Sequence, residues 1–324
     1  MTWGRFFCHL GKKVTKEPSP CHQTVPVSPN TMTSREVNHM AGKLYLCATP
    51  IGNLDDMTFR VLETLKSVDL IAAEDTRNSI KLLNHFDIHT EMTSYHEYNK
   101  YDKAQYLIGK MQEGVNVALI TDAGTPAISD PGEVLVAECQ KAGVTVTSLP
   151  GPAACITALT LSGLSTRRFC FEGFLPSSDD KKARKRILED LKDESRTMIV
   201  YEAPHHLKVA LADLFETLGD RRISICRELT KKFEEVRPTT IREAISFYEE
   251  NEPRGEYVLV IEGKSLKEQD EETRQSFMEM SLEEHMEMYE SQGLSRKEAM
   301  KKVASDRGVG KRDIYQALLD SEKS

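Results

Sequence analysis

The sequence lacks a C-x-x-C motif, and its seven cysteines are scattered at positions 8, 21, 47, 139, 155, 170 and 226. An odd number of isolated cysteines argues against a disulfide framework and a zinc site, and it fits a protein of the reducing cytoplasm. Long apolar runs are missing too, because even Pro152–Leu161 is broken by Thr157 and Thr160 and is far shorter than the roughly 20 residues of a membrane helix. We therefore expect a soluble protein that does not contact membranes.

Nucleotide-binding signatures are also missing, since the chain contains neither a G-x-x-x-x-G-K-[ST] loop nor a G-x-G-x-x-G fingerprint. His205 and His206 are adjacent but have no third ligand at a suitable spacing, and neighbouring side chains at a helix start point in different directions. The sequence therefore favours neither a P-loop enzyme, nor a dinucleotide enzyme, nor a metal site.

The chain is 324 residues long, which is more than one hydrophobic core usually organises. This length predicts two domains with an additional segment. The first 40 residues carry four prolines in a Ser/Thr-rich stretch without an apolar period, so we expect residues 1–41 to be a disordered extension. Its early basic residues are compatible with an organelle leader, and a true start at Met32 or Met40 is the simpler alternative.

From Lys43 onward, short β-rich runs alternate with helical patterns, and this alternation predicts an α/β fold. Five such units at the start imply a largely parallel sheet that is covered on both faces. The predicted parts are an N-terminal α/β domain at 42–163, a C-terminal α/β domain at 164–264, an acidic linker at 265–277 and a helix-turn-helix-like bundle at 278–324.

The unusual sequences of the first domain directly follow predicted strands, at Thr49–Leu54, Glu74–Arg77, Thr121–Pro126 and Pro150–Ala153. Because open α/β sheets bind ligands in the crevice at the carboxyl ends of their strands, four such loops predict a binding site there. Asp122–Pro126 leaves backbone N–H groups free for a zwitterionic amino-acid tail, although a tight turn explains it about as well.

Some residues of these loops also have a purely structural interpretation. Pro150 and Pro152 make a stiff corner, which is compatible with a flat wall for an adenine ring or with a mere strand-to-helix connection. Asp75 could simply cap the following helix. Two helix starts are predicted from proline, one with Asp130 as N-cap and Pro131 as first residue, and one at Pro152.

Polar clusters follow strands of the second domain as well, at Tyr201–His206 and Arg227–Lys231. Arg227 and Lys231 could hold phosphates while Glu228 orients them or accepts a proton, and a set of surface ion pairs is the alternative.

Positive charge is concentrated in two places, although the whole chain carries a net charge of −8. One is Lys181–Arg186, and the other lies between Arg296 and Arg312, where seven basic and two acidic residues give a local net charge of +5. Such segregation favours a polyanionic partner such as RNA, whereas a solvated helix face would explain either cluster by itself.

Seven motifs occur in order: LYLCATPIGNL at 44–54, AEDTR at 73–77, TDAGTPAISDPG at 121–132, LPGPAA at 149–154, FEGFLP at 171–176, YEAPHH at 201–206 and RELTK at 227–231. They resemble the ribosomal RNA small-subunit methyltransferase I family over about Lys43 to Lys264, and the C-terminal bundle matches an extension of many members. The resemblance implies a homodimeric, two-domain class III methyltransferase of the tetrapyrrole-methylase fold. It also implies S-adenosylmethionine as cofactor and, as substrate, the ribose 2′-hydroxyl of a cytidine in the decoding region of 16S ribosomal RNA.

Carried onto this chain, the resemblance implies three groups of site residues. Cofactor contacts are expected at Asp122, Ala123, Gly124, Thr125, Pro126, Asp130, Pro150, Gly151, Pro152 and Ala153. Substrate contacts are expected at Asn53, Arg77, Tyr201, His205, Arg227 and Lys231. The hydroxyl proton needs an acceptor, and the candidates are Glu74, Asp75, Glu202 and Glu228.

Two positions depart from the pattern. Thr49–Asn53 stands where most relatives of this fold have G-x-G-P-G, which suggests a role in binding substrate rather than cofactor. His206 stands where arginine is expected, and this weakens a phosphate-binding role at that position.

Two rival functions remain at this point. A tetrapyrrole or diphthine methylase of the same fold would predict a G-x-G-P-G first loop and no basic tail. A non-catalytic nucleic-acid-binding regulator, led by the C-terminal bundle, would predict no cofactor binding.

Overall fold

The computed structural model describes residues 41–177 and 180–321, so nearly all of the predicted disordered extension lies outside the described residues. Across the described residues, no helix combines the length and the apolarity needed to cross a membrane.

The first domain is built on a five-stranded sheet in which every pairing is parallel. Its strands are β1 (Lys43–Cys47), β2 (Leu70–Ala73), β3 (Met92–Ser94), β4 (Val117–Ile120) and β5 (Thr145–Leu149), in the order β3-β2-β4-β1-β5. Its helices are α1 (Phe59–Ser67), α2 (Thr76–His85), α3 (Lys100–Gln112), α4 (Gly132–Lys141) and α5 (Ala154–Leu161). All residues of β2 and β4 are buried, as expected of strands with helices on both faces. The predicted parallel sheet is confirmed.

Both helix starts predicted from proline are slightly wrong. Pro131 is the N-cap of α4 rather than its first residue, and Asp130 accepts a hydrogen bond from the Gly132 N–H at 2.7 Å from one position further upstream. Helix α5 begins at Ala154, because Ala153 is still extended.

The second domain is built on a mixed sheet. Its strands are β6 (Phe169–Phe174), β7 (Thr197–Glu202), β8 (Arg222–Arg227), β9 (Glu235–Thr240) and β10 (Tyr257–Ile261), in the order β6-β7-β10-β8-β9. The pairing of β6 with β7 is parallel, and the other three pairings of this sheet are antiparallel. Its helices are α6 (Lys181–Leu191), α7 (Leu207–Leu218) and α8 (Ile241–Glu250).

The two faces of the second sheet have different partners. One face packs on α6, α7 and α8 through side chains such as Val200 and Leu259. The other face packs on α5 of the first domain, where Ile199 and Val260 join Ala158 in one apolar cluster. Beside this apolar contact, the Cys155 N–H at the start of α5 donates to the Tyr201 hydroxyl near the end of β7.

The remaining helices are α9 (Leu266–Glu279), α10 (Leu282–Ser291), α11 (Arg296–Arg307) and α12 (Lys311–Ser321). Residues 265–277, which the acidic composition favours as a linker, thus lie almost entirely in α9, since Glu, Gln, Lys and Arg are also good helix formers. The ring of Phe277 on α9 stacks on the buried His285 of α10 at 4.3 Å, so α9 packs with the bundle.

Candidate functional site

A cavity of about 490 Å³ lies between the two domains, within the size range of small-molecule sites. The side formed by the first domain, here the first wall, comprises Ile51, Glu74, Thr121–Thr125, Ile128–Asp130 and Ala153–Ala154. The side formed by the second domain, here the second wall, comprises Phe174, Tyr201–Pro204, Glu228, Leu229, Lys231 and Glu256–Val258. The cavity therefore lies where the sequence predicts a site.

The backbone of the first wall is held in an uncommon conformation. Gly124 has a φ of +83°, and its N–H and carbonyl pair with Thr49 at 3.0 and 2.9 Å, which joins the loops after β1 and β4. Ala127 and Ser129 also have positive φ values, of 68° and 60°. Such strain persists only where the surroundings enforce it, and it concentrates at ligand sites.

The Pro150–Pro152 motif supports this wall from behind rather than lining it. Thr125 donates a hydrogen bond from its hydroxyl to the Pro152 carbonyl at 2.9 Å. Gly151 lies so close to Ala48 that a Cβ there would be 2.6 Å from the Ala48 Cβ. Of the predicted cofactor residues, Pro126, Pro150, Gly151 and Pro152 lie outside the lining, and the other six lie in it.

The first wall carries three carboxylates: Glu74, Asp122 and Asp130. Glu74 accepts a hydrogen bond from the Thr121 hydroxyl at 2.7 Å. Burial raises the pKa of Asp122, and the negative charge of Glu74 adds to the effect. Burial also raises the pKa of Asp130, although backbone N–H groups oppose the shift. Within the described part of the chain none of the three pairs with a basic side chain, so this wall favours a cationic ligand.

Asp75 and Arg77 lie beside the cavity but not in its lining. Asp75 is the N-cap of α2 and accepts from the Arg77 backbone N–H at 2.8 Å, as the structural interpretation of the sequence allows. The Arg77 guanidinium also pairs with it at 2.9 Å, and these hydrogen bonds lower the pKa of Asp75 to about 2. Asn53 likewise lies outside the lining and caps a short 3₁₀ turn.

Tyr201 and Glu202 place a phenol and a carboxylate on the second wall, at the end of β7. The Tyr201 hydroxyl accepts from the Cys155 backbone N–H at 3.1 Å, which links the two domains. Glu202 is only 5% exposed. Its Oε1 accepts a hydrogen bond from the Ala203 N–H at 2.9 Å, whereas its Oε2 has no hydrogen-bond partner among the described residues. Burial raises the pKa of Glu202. An unpaired buried oxygen is costly, so this one is suited to a donor on a ligand.

Lys231 connects the charges at the other end of the second wall. Its ammonium donates to Glu228 at 3.0 Å and to Glu256 at 2.9 Å. Burial alone would raise the pKa of Glu228, but the hydrogen bonds from Lys231 and the Glu256 N–H outweigh it and lower this pKa. A Cβ at Gly52 would collide with the Lys231 side chain, so the loop after β1 touches this group directly.

Besides Asn53 and Arg77, two further predicted substrate residues do not reach the cavity lining. Arg227 pairs with Glu235 at 3.1 Å, as the ion-pair alternative allows. His205 is exposed, and its ring lies 4.1 Å from that of His206, which is the N-cap of α7.

The cavity also contains residues that the sequence candidates omit, namely Ile51, Thr121, Ile128, Phe174 and Glu256. Ile51, Thr121 and Ile128 lie in loops that follow strands, so position was an available signal, whereas Phe174 is the last residue of β6. Glu256 had no such signal, because the antiparallel pairing of β10 with β8 brings it to the cavity, where its carboxylate pairs with Lys231.

Outside this cavity, the described residues form a smaller cavity. A second cavity of about 320 Å³ lies at the opposite end of the second sheet, where Arg222 pairs with Glu262 at 2.6 Å and Lys264 with Asp193 at 2.7 Å. No group of three or more His, Cys, Asp or Glu side chains in the described ranges is arranged to hold a metal ion.

Comparison with known proteins gives consistent matches. The family of tetrapyrrole (corrin/porphyrin) methylases matches residues 43–245. Ribosomal RNA small subunit methyltransferase I of Halalkalibacterium halodurans is 50% identical over 285 residues, which cover 88% of this chain and 97% of that protein. The protein of the same name from Bacillus subtilis is 49% identical over 276 residues, which cover 85% and 94%.

Solved structures extend the likeness to the fold. A diphthine synthase matches with a TM-score of 0.54 and 14% identity, covering 69% of this chain and 91% of that chain. The methyltransferase CobJ matches with a TM-score of 0.53 and 18% identity, covering 69% and 95%. At these identities the likeness concerns the fold alone.

Proposed function

Because this chain belongs to the tetrapyrrole methylase family, and within it to the family of ribosomal RNA small subunit methyltransferase I, we propose that it methylates the ribose 2′-hydroxyl of a cytidine in the decoding region of 16S ribosomal RNA. The protein is an S-adenosylmethionine-dependent methyltransferase, so the non-catalytic regulator is excluded. Relatives that are about 50% identical to this chain are named ribosomal RNA small subunit methyltransferase I, and this favours ribosomal RNA as substrate over a tetrapyrrole or diphthine.

The observation that carries the proposal is the unpaired negative charge of the first wall. S-adenosylmethionine supplies an electrophilic methyl group on a sulfonium and carries a second cation, its ammonium. Asp122 and Asp130 would attract these cations, and the backbone of Ala123, Gly124 and Thr125 would hold the amino-acid part. The fit is chemical, because a wall with three carboxylates and no basic partner among the described residues suits a ligand with two positive charges. Most of the rate would come from positioning the methyl acceptor in line.

The candidates for accepting the hydroxyl proton can be narrowed. Asp75 is engaged in capping α2 and pairing with Arg77, and Glu228 is engaged with Lys231. Glu74 and Glu202 face the cavity without a basic partner, and burial raises the pKa of Glu202, which makes it a better proton acceptor than an ordinary carboxylate. We propose that one of these two receives the proton late in the transfer.

Basic side chains support the RNA part of the proposal. Lys181, Lys182, Lys185 and Arg186 are exposed on α6, whereas Arg184 of the same cluster is buried and pairs with Asp213 at 2.6 Å. The second cluster is also largely exposed, on α11 and α12. We propose that the bundle assists docking on the ribosomal subunit and takes no part in the chemistry.

We also propose that the protein acts in the cytoplasm as a homodimer. The cytoplasm is where small-subunit RNA would be met, and Tyr101 and Tyr106 leave large apolar area exposed on α3 for a subunit contact. Light scattering of the purified protein tests the dimer.

The proposal is tested by mapping 2′-O-methylation on small-subunit RNA from cells that lack this protein, before and after it is restored. We expect one cytidine of the decoding region to lose its ribose methyl and to regain it. An unchanged pattern would overturn the assignment of the 2′-oxygen.

A further inference from the structure

Phe174 is an exposed aromatic residue at the cavity. It is the last residue of β6, lines the second wall and is 58% exposed. Single exposed apolar side chains are common and need no explanation by themselves. What distinguishes Phe174 is how the strand presents it.

A β-bulge determines the direction of the Phe174 side chain. In a regular strand, residues three positions apart lie on opposite faces, so Phe171 and Phe174 would point away from each other. The register between β6 and β7 shifts between Phe171 and Gly173, so that Phe171 is opposite Ile199 and Phe174 is opposite Tyr201. Both phenylalanines therefore lie on the face that carries Tyr201, with ring centroids 4.9 and 5.5 Å from that of Tyr201.

The bulge lies close to the first domain. Gly173 has a φ of +65°, and a Cβ there would lie 2.9 Å from the Ser129 Oγ on the first wall. Bulges in parallel pairs are rare, and they often occur next to active sites, where they redirect a side chain. The strand thus departs from regular geometry at the residue that turns Phe174 toward the cavity.

The neighbour of Phe174 is also held in place. Tyr201 meets it edge to face and accepts the Cys155 N–H from the first domain, so the aromatic pair is anchored on both sides of the cavity. Because Phe174 is 58% exposed despite this contact, part of its surface remains available for stacking.

Positive charge lies a few residues along the chain. Arg184 is buried and donates to the Pro176 carbonyl at 2.8 Å, which ties α6 to the segment that follows Phe174. The exposed basic residues of α6 therefore follow Phe174 closely in the sequence, and this hydrogen bond links their helix to the segment next to Phe174. Aromatic rings next to basic side chains are the combination that binds single-stranded nucleic acid, through base stacking and phosphate contacts.

We propose that Phe174 is the platform on which the nucleobase of the methyl-accepting nucleotide stacks, so that the ribose of an unpaired nucleotide is presented inside the cavity. This inference rests on the proposed function, since it needs RNA as the substrate. Phe174 is a specificity and positioning residue here: it touches the base, and it takes no part in proton or methyl transfer.

The test compares Phe174→Ala and Phe174→Tyr with Phe169→Ala, a change to another exposed phenylalanine at the opposite end of the same strand. We expect Phe174→Ala to lower kcat/KM for small-subunit RNA by about 5- to 150-fold, the range that corresponds to losing one base stack. Phe174→Tyr should retain most of the activity, and Phe169→Ala should match the wild type.

A binding measurement separates the platform from other roles of the ring. A short single-stranded RNA with a fluorescent cytidine analogue should be quenched on binding to the wild type and to Phe174→Tyr, and much less on binding to Phe174→Ala. Calorimetry should give the same S-adenosylmethionine affinity for all four proteins.

Two results would overturn the inference. Loss of S-adenosylmethionine affinity in Phe174→Ala would assign the ring to the cofactor, and full quenching with full activity in Phe174→Ala would show that no base stacks there. If the wild type itself fails to methylate small-subunit RNA, the proposed function fails instead, so the two failures are distinguishable.

Discussion

The two walls of the cavity differ in backbone conformation, side-chain size and charge pairing. The first wall consists of tight loops with positive φ values, small side chains and three carboxylates that lack basic partners among the described residues. The second wall consists mostly of large side chains at the end of a mixed sheet, with three aromatic residues and a lysine that pairs with two of its three carboxylates.

This difference indicates a division of binding between the domains. Fixed backbone and unpaired negative charge suit a small cationic ligand of constant shape, which is what S-adenosylmethionine is. Aromatic rings and exposed basic residues suit a nucleotide of a large polyanion. We infer that the first wall holds the methyl donor and that the second wall holds the acceptor.

The largest expected effect comes from the charge of the first wall. Asp122 is exposed in the ligand-free protein, and a bound cation would cover it. Asp122→Ala should therefore lower the affinity for S-adenosylmethionine by about 100-fold, since truncating one partner of a charge pair that binding buries typically costs several kcal/mol. Asp102→Ala, which removes an exposed carboxylate on α3, is the matched control and should change nothing. Calorimetry measures both, and an unchanged affinity in Asp122→Ala would remove the electrostatic basis of the comparison.

A smaller effect is expected from the backbone of the same wall. Gly124→Ala should weaken S-adenosylmethionine binding by roughly 10-fold, because a Cβ at a φ of +83° is strained and lies 3.3 Å from the Ile51 side chain. Gly143→Ala has the same kind of strain at +71° but open space around it. Both variants should lose about 1 kcal/mol of folding stability, and only the first should lose affinity. Equal losses of affinity would contradict a local role.

On the second wall, Glu202→Gln should stabilise the ligand-free protein at pH 8 by about 1 kcal/mol, because it removes a buried charge with an unpaired oxygen. A raised pKa in the folded state means that stability is present below the ordinary value of 4.5 and is lost as the pH rises through the folded value. The advantage of Glu202→Gln should therefore shrink toward pH 4.5.

Urea unfolding at several pH values measures this difference, and Glu249→Gln on the exposed face of α8 is the control. A constant difference between wild type and Glu202→Gln across pH would mean that Glu202 has the same pKa in the folded and the unfolded protein, and it would contradict the effect of burial.

The smallest effect is expected far from both walls. Reversing charge at Lys301 and Lys302 on α11 should lower kcat/KM for the small ribosomal subunit by about threefold at low salt, with a shallower salt dependence and unchanged cofactor affinity. A change in cofactor affinity would mean that the bundle communicates with the cavity.

The first wall could be located from the sequence, whereas much of the second could not. Alternation of β-rich and helical runs predicts the parallel sheet, and polar loops at strand ends predict the crevice. Asp122 and Gly124 were identified by this logic, since their placement depends only on local chain geometry.

Which residues reach the second wall depends on strand register and strand pairing, and the sequence motifs do not predict either. Phe174 reaches the cavity through a bulge, and Glu256 reaches it through an antiparallel pairing between distant segments. Arg77 and Arg227 also lie near strand ends, but they are engaged by Asp75 and Glu235 and lie outside the cavity lining. A residue that follows a strand is therefore expected to lie near the site. Whether its charged side chain is available to a ligand depends on the ion pairs that it makes within the protein.

The division between the walls is tested most directly by titrating S-adenosylmethionine into three proteins by calorimetry: the wild type, Asp122→Ala and Phe174→Ala. We predict equal affinity for the wild type and Phe174→Ala, and a loss of about 100-fold for Asp122→Ala. Retained affinity in Asp122→Ala together with a loss in Phe174→Ala would contradict the assignment of the methyl donor to the first wall.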